Sequence, residues 1–89
     1  MNKIRRKALE AIITRLEELE TLRSAIREEL EEIMDEEQEA LDNMPESLQD
    51  SERGQQMQEY IDAMSGVLDD LDYIDVEAMG QMIEGIVEA

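Results

Sequence analysis

The fold is decided by residues 9–45, which read LEAIITRLEELETLRSAIREELEEIMDEEQEALDNMP. Apolar residues recur along this stretch at steps of three and four, and Arg23 and Glu37 fill the two positions that are skipped. This period predicts an α-helix with an apolar seam held over about five heptads. The predicted seam consists of nine residues: Leu9, Ile12, Leu16, Leu19, Ile26, Leu30, Ile33, Ala40 and Met44.

Additional apolar residues flank this seam, namely Ile13, Leu22, Met34 and Leu41. The apolar stripe is therefore wider than a two-stranded coiled coil needs, and it suits a helix that contacts two neighbours. The pattern stops at Pro45, because the residue before a proline avoids the helical conformation. We expect the first helix to span about residues 3–44.

A second helix is predicted over residues 52–88. Ser51 has a side chain suited to the N-cap, and Glu52 is favourable in the first turn. The seam of this helix is Met57, Ile61, Met64, Leu68, Leu71, Ile74, Ala78, Met82 and Ile86, with Tyr60, Val67, Met79 and Ile83 beside it. One alternative is left open, in which the helix breaks near residues 72–75 and Asp75 caps a separate last helix.

Two helices of similar length joined by a compact corner predict an all-α fold, an antiparallel helical hairpin, with residues 1–89 as one domain. The basic start of the first helix and the acidic end of the second both oppose their helix dipoles, and side by side they would offset each other. Because a lone hairpin buries little surface, we expect a homodimer that forms a four-helix bundle. The oligomer interface is assigned to four leucines: Leu16, Leu30, Leu68 and Leu71.

The composition argues against an active site. The chain has 25 Asp and Glu, 8 Lys and Arg, and no His, Cys, Trp or Phe, so most residues used in nucleophilic catalysis and soft-metal binding are missing. Carboxylates alone would need a concave site, which a two-helix scaffold rarely supplies. The spacing of Asp70, Asp72 and Asp75 lacks the turn glycine and closing glutamate of a calcium loop. We expect no enzyme activity, no cofactor and no metal.

The net charge of −17 indicates which partners to expect. Such a charge repels nucleic acid and anionic membranes, so the natural partner of this surface is a basic protein. No apolar run approaches the ~20 residues of a membrane span. Glu10, Arg15 and Glu17 interrupt the apolar core that a secretion signal would need after the basic start. We expect neither direct nucleic-acid binding nor membrane association.

Residues 28–42 contain nine acidic residues and no basic residue. As a helix they extend over about 22 Å, which places one carboxylate per about 2.5 Å of axis. B-DNA carries one phosphate per about 1.7 Å, so the two charge densities are comparable. The sequence therefore predicts a nucleic-acid mimic, with ten partner-binding residues: Glu28, Glu31, Glu32, Asp35, Glu36, Glu39, Asp69, Asp70, Asp72 and Asp75. The alternative is an ordinary solvated helix surface whose charge serves solubility.

The corner at residues 43–54, NMPESLQDSERG, resembles one found in small acidic helical proteins of phages and mobile elements, most of them uncharacterised. The shared pattern is Asn-x-Pro-Glu-Ser-x-Gln-x-Ser-Glu-Arg between two amphipathic helices. No catalytic residues accompany this resemblance. It implies a phage or prophage protein in the cytoplasm of a bacterial host, a setting in which small acidic proteins inhibit host defence or nucleic-acid enzymes.

Two functions follow as hypotheses. The first is an inhibitor of the DNA-mimic type, such as an anti-CRISPR or anti-restriction protein, that occupies a basic nucleic-acid-binding surface. The alternative is a structural coiled-coil oligomerisation module or assembly adaptor. Binding that weakens steeply with salt would favour the first hypothesis, and a salt-tolerant apolar interface would favour the second.

Overall fold

The computed structural model of the protein describes all residues, 1–89, and contains helices and no strands, which confirms the all-α class. The four helices are α1 (Lys3–Asp42), α2 (Glu46–Gln49), α3 (Glu52–Tyr73) and α4 (Val76–Glu88). The chain forms two compact units. Unit 1 consists of Met1–Ala25 and Ile74–Ala89, and unit 2 consists of Ile26–Tyr73.

In unit 2, α3 runs antiparallel to the C-terminal part of α1. Near the corner, Leu41 of α1 and Gly54 of α3 line the same small cleft. At the other end of the pair, Arg27 of α1 forms an ion pair with Asp72 of α3. Leu41, Ile61 and Leu68 are the buried apolar side chains of this unit. This arrangement confirms the predicted helical hairpin.

In unit 1, α4 runs antiparallel to the N-terminal part of α1. The Arg6 Nη2 atom donates a hydrogen bond of 2.9 Å to the carbonyl oxygen of Ala89. Val76, at the start of α4, is 2% exposed and lines a cleft together with Glu20 of α1. The basic start of α1 thus lies beside the end of α4, as the charge pattern predicts.

The corner between α1 and α3 is held by local hydrogen bonds. The backbone N–H groups of Leu48 and Gln49 both donate to the Pro45 carbonyl oxygen, at 2.8 and 3.1 Å. The Ser51 hydroxyl accepts from the Gly54 N–H at 3.4 Å, which confirms Ser51 as the cap of α3. A side-chain carbon placed on Gly54 would lie 2.1 Å from the Gln49 carbonyl oxygen, so only glycine fits here.

The second helix predicted over residues 52–88 is two helices in the structure, and the break left open from the sequence is present. The Asp75 carboxylate accepts a hydrogen bond from the Ala78 N–H at 3.0 Å and caps α4. The inward positions therefore step by five residues, from Leu71 to Val76, instead of three or four. The seam predicted beyond Leu71 is consequently wrong, and Met82, for example, is 75% exposed.

The seam predicted for α1 is confirmed at Leu9, Leu16 and Leu30, whereas its other positions are replaced by neighbouring apolar residues. The inward side chains are Leu9, Ile13, Leu16, Leu30, Met34 and Leu41, whereas Ile12, Leu19, Ile26 and Ile33 are exposed. One residue corresponds to a rotation of about 100° around the helix, and the wide apolar stripe offers both sets of positions. The second set therefore remains 42–54% exposed. No helix is long and apolar enough to cross a bilayer.

Candidate interaction surfaces

Four carboxylates form a row on the outer side of α1 in unit 2. Glu28, Glu32, Asp35 and Glu39 are separated by four, three and four residues, so they share one helix surface over about 16 Å of axis. All four are exposed, and no ion pair within the chain involves them. We call these residues the acidic stripe. It keeps its full negative charge available to a partner.

Two other acids predicted to bind a partner are held inside unit 2. The Arg27 guanidinium meets Asp72 through Nε–Oδ1 and Nη2–Oδ2 distances of 2.5 and 3.1 Å, and its Nη1 also donates to Glu31. These bonds, first to Asp72 and then to Glu31, raise the pKa of Arg27 above its usual range. Glu31 and Asp72 are therefore already compensated by a cation, so they offer a partner less charge than the stripe does.

The remaining predicted acids differ in their settings. Glu36 is exposed on α1, and Asp69 and Asp70 are exposed on α3, all within unit 2. Asp75 belongs to unit 1, where its carboxylate caps α4. The structure thus brings most of the predicted acids to the surface of unit 2, and it gives Asp75 a structural role.

The four leucines assigned to the oligomer interface lie in the intramolecular seams. Leu68 is buried in unit 2, while Leu30 and Leu71 are half-buried there. Leu16 is half-buried in unit 1. Their part in contacts between copies stays a prediction.

Unit 2 has one polar side and one apolar side. Glu31 directly follows the seam residue Leu30, and Asp72 directly follows Leu71. Arg27 binds both acids. The residues that come directly after the seam residues of α1 and α3 therefore lie on the same side of the helix pair. The residues that precede the seams must then lie together on the opposite side. These residues are Ile26, Ile33, Tyr60 and Val67, which are 42–54% exposed, and we call them the apolar flank of unit 2.

Unit 1 repeats this division. Glu17, Glu77 and Glu84 each directly follow a seam residue, and they line one cleft of about 320 Å³. The floor of this acidic cleft includes Leu16 and Val76. The residues that precede the seam positions are again apolar and exposed, and they define the apolar flank of unit 1: Ile12, Leu19, Met79 and Ile86.

One acid of the cleft has an altered pKa. Glu20 forms a two-point ion pair with Arg23, with nitrogen–oxygen distances of 2.8 and 2.6 Å. The hydrogen bonds from Arg23 lower the pKa of Glu20, because they stabilise the ionised carboxylate. The Glu20 carboxylate therefore stays ionised to a lower pH than an isolated glutamate would.

The apolar flanks are the surface that sequence reasoning did not identify. Ile12, Leu19, Ile26 and Ile33 lie seven residues apart along α1, and this regular spacing was the available signal. The apolar period places these residues in the seam, so it does not predict their exposure. The flanks leave large apolar side chains facing solvent, which is typical of interaction surfaces.

No group of three or more His, Cys, Asp or Glu side chains is arranged to hold a metal ion. No protein-family model matches the chain, and neither a curated protein nor a solved structure does. The resemblance of the corner to acidic phage proteins therefore stays a prediction.

Proposed function

We propose that the protein is a non-catalytic acidic module that occupies a basic, nucleic-acid-binding surface of another protein. The observation that carries this proposal is the acidic stripe, whose four carboxylates are exposed and have no cationic partner within the chain. The class of target is a host defence or nucleic-acid enzyme, and the mode of action is that of a DNA mimic of the anti-CRISPR or anti-restriction type.

The physical basis is competition between two polyanions for one cationic groove. A groove that binds nucleic acid gains affinity by releasing counterions from the phosphates, and this gain falls steeply as salt rises. A helix presents its carboxylates in a row, so binding orders their side chains but needs no ordering of the backbone. The net charge of −17 also steers the module toward a positive surface.

The test is a pull-down from a bacterial lysate, washed first at low and then at high salt, with the bound proteins identified by mass spectrometry. The stripe variant Glu28→Gln, Glu32→Gln, Asp35→Asn, Glu39→Gln serves as the second bait. We expect the wild type to retain a nucleic-acid-handling protein that high salt or added duplex DNA releases, and we expect the stripe variant to lose it.

A matched control separates the stripe from total charge. The variant Glu10→Gln, Glu18→Gln, Glu59→Gln, Glu88→Gln also neutralises four exposed carboxylates, so the formal net charge changes from −17 to −13 in both variants (−17 plus four). We expect the control variant to keep most of the binding. Equal loss in both variants would contradict a role for the stripe, and unchanged binding in both would refute the acidic module altogether.

A second candidate function is a structural coiled-coil oligomerisation module or assembly adaptor, in which the chain works as a homodimer. The observation that favours it is the ratio of buried to exposed apolar residues. Four apolar residues are buried, whereas fifteen large ones are exposed. A surface of this kind is usually covered by a partner. A chain that is monomeric and binds no helical partner at any concentration would exclude this function.

A further inference from the structure

We propose that the apolar flank of unit 1 packs against the apolar flank of unit 2 in a second copy of this chain. In this contact, α1 runs antiparallel to α1 of the second copy. The proposal deepens the oligomerisation function, on which it rests, and it is independent of the acidic stripe. Each flank is half-exposed and lies on the side of its helix pair opposite to the residues that follow the seam.

The spacing of residues along α1 supports an antiparallel contact with itself. Ile12, Arg15 and Leu19 are separated by three and then four residues, while Ile26, Glu29 and Ile33 repeat the same intervals. When Ile12 is placed opposite Ile33 of the second copy, Leu19 falls opposite Ile26. Arg15 then falls opposite Leu30 of the second copy, which is the residue next to Glu29.

The same alignment is symmetric between the two copies. In an isologous contact, every pairing occurs twice, once in each direction. Leu22, which is 57% exposed and precedes the seam residue Arg23, falls next to its own counterpart at the twofold axis. The centre of the contact is therefore apolar, and the charged pairs lie on either side of it.

Charge complementarity favours a second copy over an unrelated partner. Arg15 is the one cation in a shallow groove whose lining also includes Ile12, Leu19, Leu22 and the acid Glu18, and Arg15 is exposed. Glu29 directly precedes the seam residue Leu30, so it lies on the apolar side of unit 2, and it is also exposed. No ion pair within the chain involves either residue. The chain thus carries one cation on the first flank and the matching anion on the second.

The available area is what a stable dimer needs. The two flanks and Leu22 provide nine apolar side chains, each 42–57% exposed. At roughly 100 Å² of exposed surface for each, they offer about 900 Å² per copy. Specific interfaces bury about 800 Å² per partner, so a dimer of standard size would bury nearly all of this exposed apolar surface.

The acidic stripe does not oppose this contact. Given 3.6 residues per turn, Glu28 lies about 160° around α1 from the flank residue Ile26, and Glu32 lies about 100° from Ile33. The stripe therefore stays exposed in the dimer. At moderate salt, repulsion between the stripes of two copies is largely screened beyond about 10 Å.

A charge exchange tests the second copy as the occupant. Sedimentation equilibrium is measured for the wild type, Arg15→Glu, Glu29→Arg and the double variant. We expect the wild type to be a dimer. Each single change should raise the dimer dissociation constant at least about ten-fold, because it replaces two attractive pairs by two repulsive ones. The double variant should return to within about three-fold of the wild type.

Mixing the single variants gives a second readout. A heterodimer of Arg15→Glu with Glu29→Arg has attractive charges at both places, so native mass spectrometry of a tagged and an untagged chain should show heterodimers in excess over either homodimer. Lys7→Glu is the control for Arg15→Glu, because both lower the net charge by two (from +1 to −1 at one residue) and Lys7 follows the seam residue Arg6, away from the flank. We expect this control to dimerise like the wild type. Far-UV circular dichroism verifies that every variant stays helical.

Three outcomes would overturn the inference. Dimers of equal strength in all variants would place the contact elsewhere and leave the oligomerisation function standing. A double variant as weak as the single variants would do the same, because it would show that Arg15 and Glu29 do not meet. A strictly monomeric wild type would refute both this contact and the oligomerisation function. Loss of target binding by the stripe variant tests the acidic module and bears on neither the contact nor the oligomerisation function.

Discussion

Gly54 is the position where one added methyl group should damage the fold most. In Gly54→Ala the new carbon would lie 2.1 Å from the Gln49 carbonyl oxygen and 2.8 Å from that of Leu48. Ordinary van der Waals contact begins at 3.4 Å, so α2 must move by about 1.3 Å (3.4 minus 2.1). Both oxygens are backbone atoms of the corner, and they cannot rotate away as a flexible side chain could.

The magnitude follows from two opposing effects. Alanine is better than glycine in a helix by about 1 kcal/mol, which favours the substitution. Overpacking a rigid site costs about 1–3 kcal/mol, and a contact as short as 2.1 Å belongs at the upper end of that range or beyond it. We therefore expect a net loss of at least about 2 kcal/mol, or roughly 8–16 °C in Tm for a chain of this size.

Gly66→Ala is the matched control in the same helix. A side-chain carbon at Gly66 would meet nothing within 4 Å, so only the gain in helix propensity remains. We expect Gly66→Ala to raise the free energy of unfolding by about 0.5–1 kcal/mol. The same chemical change should thus have opposite signs at two positions twelve residues apart in α3.

The measurement is urea unfolding followed by far-UV circular dichroism, at one fixed protein concentration because self-association shifts the midpoint. If Gly54→Ala is as stable as the wild type, or if both variants gain stability equally, then the corner does not approach Gly54 as closely as described.

Three further predictions concern the core, the cap of α4 and the pH dependence. Leu68→Ala should lower the free energy of unfolding by about 2–5 kcal/mol, because Leu68 is 5% exposed. Tyr73→Ala, at a 90% exposed position, should change it by no more than about 0.5 kcal/mol. Equal urea midpoints for the two variants would contradict the assigned core. Asp75→Ala should cost about 0.5–2 kcal/mol by removing the bond to the Ala78 N–H, and Asp75→Asn should retain most of that stability in thermal unfolding. Because Arg23 lowers the pKa of Glu20 in the folded state, the contribution of Glu20 to stability is present above its unfolded pKa and disappears as the pH falls through the folded one. The difference in stability between the wild type and Glu20→Gln should therefore be constant near neutral pH and vanish in strong acid, and a difference that grows on acidification would oppose the assigned pair.

Several features of the fold could be predicted because they are local. Pro45 ends the first helix whatever the helix packs against, and Ser51 has the side chain that an N-cap needs. The capping side chain of Asp75 was visible in the sequence, but a continuous helix over residues 52–88 fitted the apolar period as well. Local signals therefore indicated where a break was allowed, and packing of Val76 against α1 decided that it occurs.

The candidate surfaces were predicted only in part. The acidic stripe is local to α1, since the positions of Glu28, Glu32, Asp35 and Glu39 on one helix surface follow from 3.6 residues per turn. The neutralisation of Asp72 was not predictable, because Arg27 lies 45 residues away in the chain and meets it only through the antiparallel pairing. Charge density read from sequence therefore overestimates what unit 2 offers to a partner.

By itself, the sequence determined the helices, their corner and the acidic character of the surface, because propensity, capping and charge act within a few residues. The tertiary structure decided which apolar series faces inward. Ile12 and Ile13 are adjacent, as are Ile33 and Met34, and either series could have formed the seam. The two choices share Leu9, Leu16 and Leu30, so they differ by less than the 100° between adjacent residues, and only the packing of α3 and α4 against α1 selects one. The series left outside is the surface from which the dimer is proposed.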